Sequence, residues 1–244
     1  MRYHRFYTSD KLSPGNNYQL PKEVAHHCIQ VLRYAVNAQL VLFNGDGADY
    51  LAKITEINGK QCHVIVEDKT VIDNESPIYI HLLQGIARGE KMDLIIQKAV
   101  ELGVNEITPI FTERCNVKLD AKRLPKKLAH WQSVVISACE QSQRAVIPKI
   151  NPPSNIKTLI GTDKIMSLYL DPGAEHSINH LLKQYSKNDK LNIVIGPEGG
   201  FSLNDINHLV DIGATPALIG PRVLRTETAG LACIAVVQST IGDF

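Results

Sequence analysis

Strand-like and helix-like segments alternate from residue 78 to 241, hairpin turns concentrate between 38 and 67, and a polar stretch ending in proline separates the two regions. Together these predict an α/β protein in two parts: a small β-rich domain over residues 1–73 and a larger doubly wound α/β domain over residues 74–244. The smaller part opens on a short helical pattern, "PKEVAHHCIQVLR" (Pro21–Arg33). "AQLVLFN", the turn "GDG", "ADYLAKITEI", the turn "NGK" and "QCHVIVE" follow. Asn-Gly and Gly-Asp-Gly between β-rich runs are hairpin signals, because these residues accept positive φ at little cost. "DNESP" (Asp73–Pro77) is the linker.

In the larger part "IYIHLLQ" reads as a buried strand. "EKMDLIIQKAVELG" reads as an amphipathic helix with Met92, Ile95, Ile96, Ala99 and Leu102 on one face and Gly103 at its end. Strand "EITPIF", a basic segment and the long helix "LAHWQSVVISACEQSQR" come next. Strand "IMSLYL", helix "EHSINHLLKQY", strand "LNIVIG", helix "SLNDINHLVDIG", strand "ATPALIG" and helix "TAGLACIAVVQSTIG" complete the chain. This is the signature of βαβ units on a mostly parallel sheet covered on both faces.

Composition narrows the function. With 44% hydrophobic and 21% charged residues over 244 positions, the chain can form a sizeable core. Its formal charge is +1, yet Thr112–Lys127 holds six basic and two acidic residues, so any polyanion contact is expected to be local. Five cysteines without CxxC spacing suggest neither a disulfide framework nor a zinc site, and no metal is expected. With no signal-peptide pattern and no apolar run approaching 18 residues, a soluble, cytoplasmic protein without a membrane partner is expected.

Three loops carry the chemistry. "VIGPEGG" is echoed by "LIGPRVLRTETAG", each with a Gly-Pro corner after an apolar strand, and a third strand ends in Asp171-Pro172-Gly173. In a parallel sheet such loops leave the carboxyl edge, where α/β proteins bind ligands. No Walker lysine follows Gly200 and GxGxxG is absent, so phosphate cradling is poorly supported and a backbone-lined pocket suits a neutral adenine edge better. Arg225 stands just before Thr226, the expected N-cap of the last helix, where the helix dipole disfavours a cation. That placement implies an ion pair with Glu198 or Glu227, or an anionic substrate. Lys118, Lys122, Arg123, Lys126 and Lys127 form a candidate phosphate strip, and "ACEQSQR" adds Glu140, Gln141 and Arg144 at a helix end.

With these motifs in hand, the chain resembles the RsmE family of ribosomal RNA small subunit methyltransferases, in the SPOUT superfamily. The resemblance rests on "RFY", "HHCIQVLR", "KMDLIIQKAVELGV", "ERCNVKLDAKRLPKKLAHWQ", "ACEQSQR", "IGPEGGFS" and "LIGPRVLRTETAG", in order and over nearly the whole chain. It implies a small N-terminal PUA-like β-barrel, a SPOUT α/β domain with a deep trefoil knot, and dimerisation through that domain. It also implies methylation of N3 of a uridine in 16S rRNA, with S-adenosyl-L-methionine as donor and the assembled small subunit as the expected partner. The donor would lie among Leu170, Asp171, Gly196, Pro197, Glu198, Gly199, Gly200, Ile219, Gly220, Pro221, Leu224, Arg225 and Thr226. Arg225 would stabilise the developing uridine anion, Glu198 would act as base or orient Arg225, and Arg5 would reach in to hold RNA. Arg33, Arg114, Lys122, Arg123, Lys126, Lys127 and Arg144 would contact RNA. Gln143 replaces the family's usual glycine in "EQSGR", which puts the local backbone geometry in question. The alternatives are a SPOUT enzyme acting on tRNA and a non-catalytic RNA-binding assembly factor.

Overall fold

The computed structural model describes residues 3–117, 120, 122–160, 165–186 and 189–244, which divide into two compact units. The N-terminal unit comprises residues up to Glu75 together with Cys139–Ile147, and the C-terminal unit comprises Ser76–Ala138 and Pro148–Phe244. Residues 139–147, expected within the second domain, thus cluster with the first.

The N-terminal unit is built on β1 (Arg5–Tyr7), β2 (Asn17–Gln19), β3 (Gln39–Phe43), β4 (Ala48–Asn58) and β5 (Gln61–Val71), in the order β1-β3-β4-β5-β2. The β1–β3 pair is parallel and the others antiparallel. Period-two burial along β4 and β5 turns Tyr50, Ala52, Ile54, Cys62, Val64 and Val66 into one core. The segment Pro21–Arg33 is helical only in α1 (Lys22–His26), then widens into a π-helical turn over His27–Val31 that buries Cys28.

Much of this unit is tied together by the ends of its discontinuous chain. Arg5 lies over the Phe43 ring at 4.4 Å, forks onto Asp49 at 2.6–3.2 Å, and donates to the carbonyls of Cys139 (2.8 Å) and Arg144 (3.3 Å). Arg144, also buried, pairs with Glu75 through two hydrogen bonds. Gln143 is left-handed at φ 64°, and its carbonyl accepts from the Asn74 amide at 2.9 Å. This is the position where the family glycine is expected, and the chain makes the turn without it.

The C-terminal unit is a parallel sheet. In chain order its elements are β6 (Tyr79–Gly85), α2 (Lys91–Glu101), β7 (Glu106–Phe111), α3 (Leu124–Ser142, whose last turn belongs to the other unit), β8 (Lys149–Ile150), β9 (Ser154–Asn155), β10 (Met166–Leu170), α4 (Ile178–Leu182), β11 (Lys190–Ile195), α5 (Leu203–Asp211), β12 (Thr215–Ala217) and α6 (Thr226–Ile241). Strand order is β12-β10-β11-β6-β7-β8, with β9 also on β7, and every pairing is parallel. The chain runs one way from β6 to β7 and β8, then crosses to β10, β11 and β12 on the other side, so the sheet has a switch point at β6. α6 packs on α2, α4, β6 and β11. On the opposite face α5 covers Leu83, Ile110, Tyr169 and Val194. Among the described residues no helix is long and apolar enough to cross a membrane.

Candidate functional site

The carboxyl ends of β10, β11 and β12 deliver their three loops to one cavity of about 620 Å³, within the usual range for small-molecule sites. Leu170, Asp171 and Pro172 form one wall; Gly196, Pro197, Glu198 and Gly200 a second; Ile219, Gly220, Leu224, Arg225 and Thr226 a third. Of the thirteen donor residues expected from the sequence, only Gly199 and Pro221 are outside this lining.

Each corner is held by its own hydrogen bonds. The Asp171 carboxylate accepts from Gly173 N–H at 2.8 Å, closing the first turn. In the second, Gly200 N–H returns to the Pro197 carbonyl at 2.9 Å, with Gly200 left-handed at φ 67°. Ser202 and Asp205 then cap α5 reciprocally, and fully buried Asp205 also accepts from Glu113 N–H.

The third corner differs. From Ile219 to Leu224 no backbone N–H or C=O has a hydrogen-bond partner within the described residues. Ile219, Gly220 and Leu224 are only half-exposed. Backbone groups in such a place ordinarily find partners, so this loop is a row of donors and acceptors available to a ligand.

The charged groups depart from the expected pairing. Arg225 is exposed and its guanidinium has no partner among the described residues. Glu198 and Glu227 turn instead to Lys91, at 3.7 and 3.4 Å, because Lys91 opens α2 between them. Glu198 also accepts from Arg88 N–H at 3.1 Å. Burial raises its pKa, but hydrogen bonds from the Arg88 and Glu198 N–H groups and the charges of Lys91 and Arg88 outweigh that and hold it below the ordinary carboxylate range. Thr226 is not the N-cap: Arg225 occupies that position without a side-chain cap, and Thr226 begins the helix. Its hydroxyl donates to the Gly196 carbonyl at 2.6 Å and accepts from Gln84 at 3.0 Å.

Lys91 and Gln84 were missed in the sequence. The available signal was the loop after "IYIHLLQ", which leaves the same sheet edge as the three corners.

The cavity fits a zwitterionic, adenine-bearing ligand on three counts. Its lining carries three cationic side chains (Lys91, Arg222, Arg225) and three acidic ones (Asp171, Glu198, Glu227). Among the described residues the 219–224 backbone is unpaired, and one buried Glu227 carboxylate oxygen has no hydrogen-bond partner. No group of three or more His, Cys, Asp or Glu among the described residues is placed to hold a metal.

The expected RNA contacts divide. Arg33 in the N-terminal unit is exposed and left-handed at φ 54°. Arg114, Lys122, Arg123 and Lys126 in the C-terminal unit are exposed, and Lys118 lies outside the described residues. Lys127 is partly committed, 3.6 Å from Asp93 and over the Trp131 ring at 5.3 Å. Arg5 and Arg144 are placed differently: both guanidiniums are buried in ion pairs inside the N-terminal unit. Glu140, beside them, accepts from Tyr7 N–H at 3.0 Å.

Comparison with known proteins places these features. An RNA methyltransferase domain model matches residues 74–238, and an RNA methyltransferase PUA domain model matches residues 20–67. Ribosomal RNA small subunit methyltransferase E of Buchnera aphidicola subsp. Schizaphis graminum is 39% identical over 247 residues, 99% of this chain and 98% of that one. Among solved structures, ribosomal RNA small subunit methyltransferase E from Neisseria gonorrhoeae, bound to S-adenosyl methionine, superposes with TM-score 0.90 at 34% identity over 100% of both chains. A Legionella pneumophila protein in complex with the same cofactor superposes with TM-score 0.94 at 37% identity, again over 100% of both.

Proposed function

The chain belongs to the ribosomal RNA small subunit methyltransferase E family, and from that premise we propose that it methylates N3 of a uridine in 16S rRNA with S-adenosyl-L-methionine as donor. The observation that carries this reading is the unpaired backbone of residues 219–224 lining a cavity shared with the other two corners. That backbone holds the adenine, and the turns at Asp171 and Gly200 fix the remaining walls. When bound, the donor supplies an electrophilic methyl group for in-line displacement, a reaction in which positioning provides most of the acceleration.

The protein's own groups act on the uridine. N3 carries a proton and attacks poorly until that proton is removed or shared. The unpartnered Arg225 guanidinium stabilises the anion that develops on the uracil as N3 loses it. Glu198, ionised at the cavity wall, accepts the proton; its lowered basicity makes the acidifying effect of Arg225 necessary. Arg5 keeps the N-terminal unit together and has no part at the uracil.

N3 is engaged in a Watson–Crick pair, so the substrate uridine is unpaired or flipped out. Arg33, Arg114, Lys122, Arg123 and Lys126 hold phosphates around it, and Lys126→Glu lowers the salt dependence of RNA binding. We assign residues 1–75, with 139–147, to a PUA-like RNA-contacting domain and the rest to the SPOUT domain. A trefoil knot is consistent with α6 returning from edge strand β12 to pack on central β6 and β11. A homodimer is supported by Leu231, Ala232, Ala235 and Val236, apolar α6 positions left half-exposed in the single chain. The assembled small subunit in the cytoplasm is the proposed substrate.

The test is transfer of labelled methyl to purified small subunits lacking the modification, with the base mapped by mass spectrometry. Label at N3 of one 16S uridine supports the reading. Label on tRNA moves the enzyme to another substrate, and RNA binding without donor binding makes it an assembly factor. Arg225→Ala should bind donor and lose turnover; unchanged turnover removes Arg225 from the mechanism.

A further inference from the structure

Gln84, the penultimate residue of β6, is fully buried in a sheet whose neighbouring positions are apolar. A buried amide in such a place needs a reason, because each unmade hydrogen bond is costly. Its Nε2 donates to two acceptors, Thr226 Oγ1 and the Gly85 carbonyl, both at 3.0 Å. Thr226 Oγ1 in turn donates to the Gly196 carbonyl at 2.6 Å. The polarity of the chain is therefore fixed. With the hydroxyl proton committed to Gly196, only the NH2 end of Gln84 can face Thr226, and Oε1 is left buried without a partner.

Two glycines clear the space for this chain. A Cβ on Gly230, in α6, would lie 3.2 Å from Gln84 Oε1, and one on Gly85 would lie 2.7 Å from the Gly196 carbonyl carbon. Sheet, corner and helix thus approach closely at this relay. Its far ends are two walls of the cavity: Gly196 starts the second corner, and Thr226 follows Arg225 directly.

Building on the donor-site reading above, we infer that Gln84 is a positioning residue for methyl transfer. Through Thr226 it locks the start of α6, and with it Arg225, to the Gly196 corner. The Thr226 hydroxyl, held by Gln84, in turn occupies the Gly196 carbonyl. Gln84 touches neither donor nor uracil and acts only through Thr226.

The test combines calorimetric binding of S-adenosyl-L-homocysteine with methyl-transfer kinetics for the full chain carrying Gln84→Met, Thr226→Val or both. Either single change should weaken S-adenosyl-L-homocysteine binding and raise donor KM by about tenfold, the order expected when one buried hydrogen-bonded group is left unsatisfied. The RNA KM should not move. The double variant should be no worse than the poorer single one, since both break one chain. Thr226→Ser, which keeps the hydroxyl, should restore wild-type values. Should Gln84→Met fail to fold, Thr226→Val breaks the relay from its other end, and its comparison with Thr226→Ser decides. Wild-type donor affinity in either relay-breaking variant, or fully additive losses, overturns the inference while leaving the donor site standing. Absence of binding by the wild-type chain overturns the donor site and the inference together.

Discussion

Gly85→Ala is the sharpest single perturbation of the site, because the added methyl meets backbone rather than a side chain that could swing away. Its Cβ would lie 2.7 Å from both the Gly196 carbonyl carbon and Pro197 Cδ, where ordinary contact begins at 3.4 Å, and nearer still to Pro197 N. The corner must therefore retreat by about 1 Å, and it is restrained by the Thr226–Gly196 and Gly200–Pro197 hydrogen bonds. Overpacking of this kind costs about 1–3 kcal/mol, which for a protein of this size lowers the unfolding midpoint by roughly 2–4 °C per kcal/mol. A displacement approaching 1 Å at a positioning wall costs on the order of 100-fold in turnover. The single tryptophan, Trp131, is buried in the C-terminal unit, so its fluorescence reports the melting of the part under strain. Calorimetry with S-adenosyl-L-homocysteine and single-turnover methyl transfer report the corner. Gly213→Ala is the control: at φ 80° with nothing within 4 Å, it should lose about 1 kcal/mol to left-handed strain and leave donor affinity alone. If Gly85→Ala matches the wild type in midpoint and donor affinity, the close crossing of β6 and the Gly196 corner is not what shapes the pocket.

Three further outcomes are expected. Gln143→Gly should raise the unfolding midpoint by about 2 °C, because relief of left-handed strain at φ 64° exceeds the added freedom of the unfolded chain; a lower midpoint in a thermal melt contradicts this. Arg144→Ala should destabilise the protein by roughly 3 kcal/mol in urea followed by circular dichroism, leaving Glu75 partly buried and uncompensated. Its RNA affinity should keep the wild-type salt slope under folding conditions, whereas a reduced slope would return Arg144 to the RNA interface. At pH 8 a thiol reagent should modify Cys115 quickly and the others slowly. Burial pushes Cys28, Cys139 and Cys233 up to about 12 and raises Cys62, while Cys115 is half-exposed. Rapid reaction of two or more thiols before unfolding would show that these sites open.

The cavity at the three corners was legible because its walls are backbone turns, and such turns are written in local motifs. Gly-Pro after an apolar strand and Asp-Pro-Gly after another announce turns without reference to anything distant, and strand alternation places those turns on one edge. Residues whose role depends on a partner far along the chain were not legible. Arg5 and Arg144 looked like free cations, because nothing local reveals that Asp49 and Glu75 receive them at separations of 44 and 69 residues. Thr226 resembled a cap, yet its hydroxyl serves Gly196, 30 residues earlier. Gln84 reads as one more residue of a strand until its 142-residue reach to Thr226 is known. The helical pattern at "HHCIQVLR" was right in kind, but periodicity alone does not distinguish an α-turn from the wider turn that seats Cys28.

The discontinuity of the N-terminal unit has a bearing on how the protein is made. A nascent chain that has emerged only as far as Glu75 holds all five strands of the small sheet, yet Arg5 lacks the carbonyls of Cys139 and Arg144, and Glu75 lacks its arginine. The strands can pair at that stage, but these contacts form only after α3 and the residues that follow it have been synthesised. Completion of these contacts is therefore not strictly vectorial. The domain translated first thus gains these partners from a stretch made some 65 residues later.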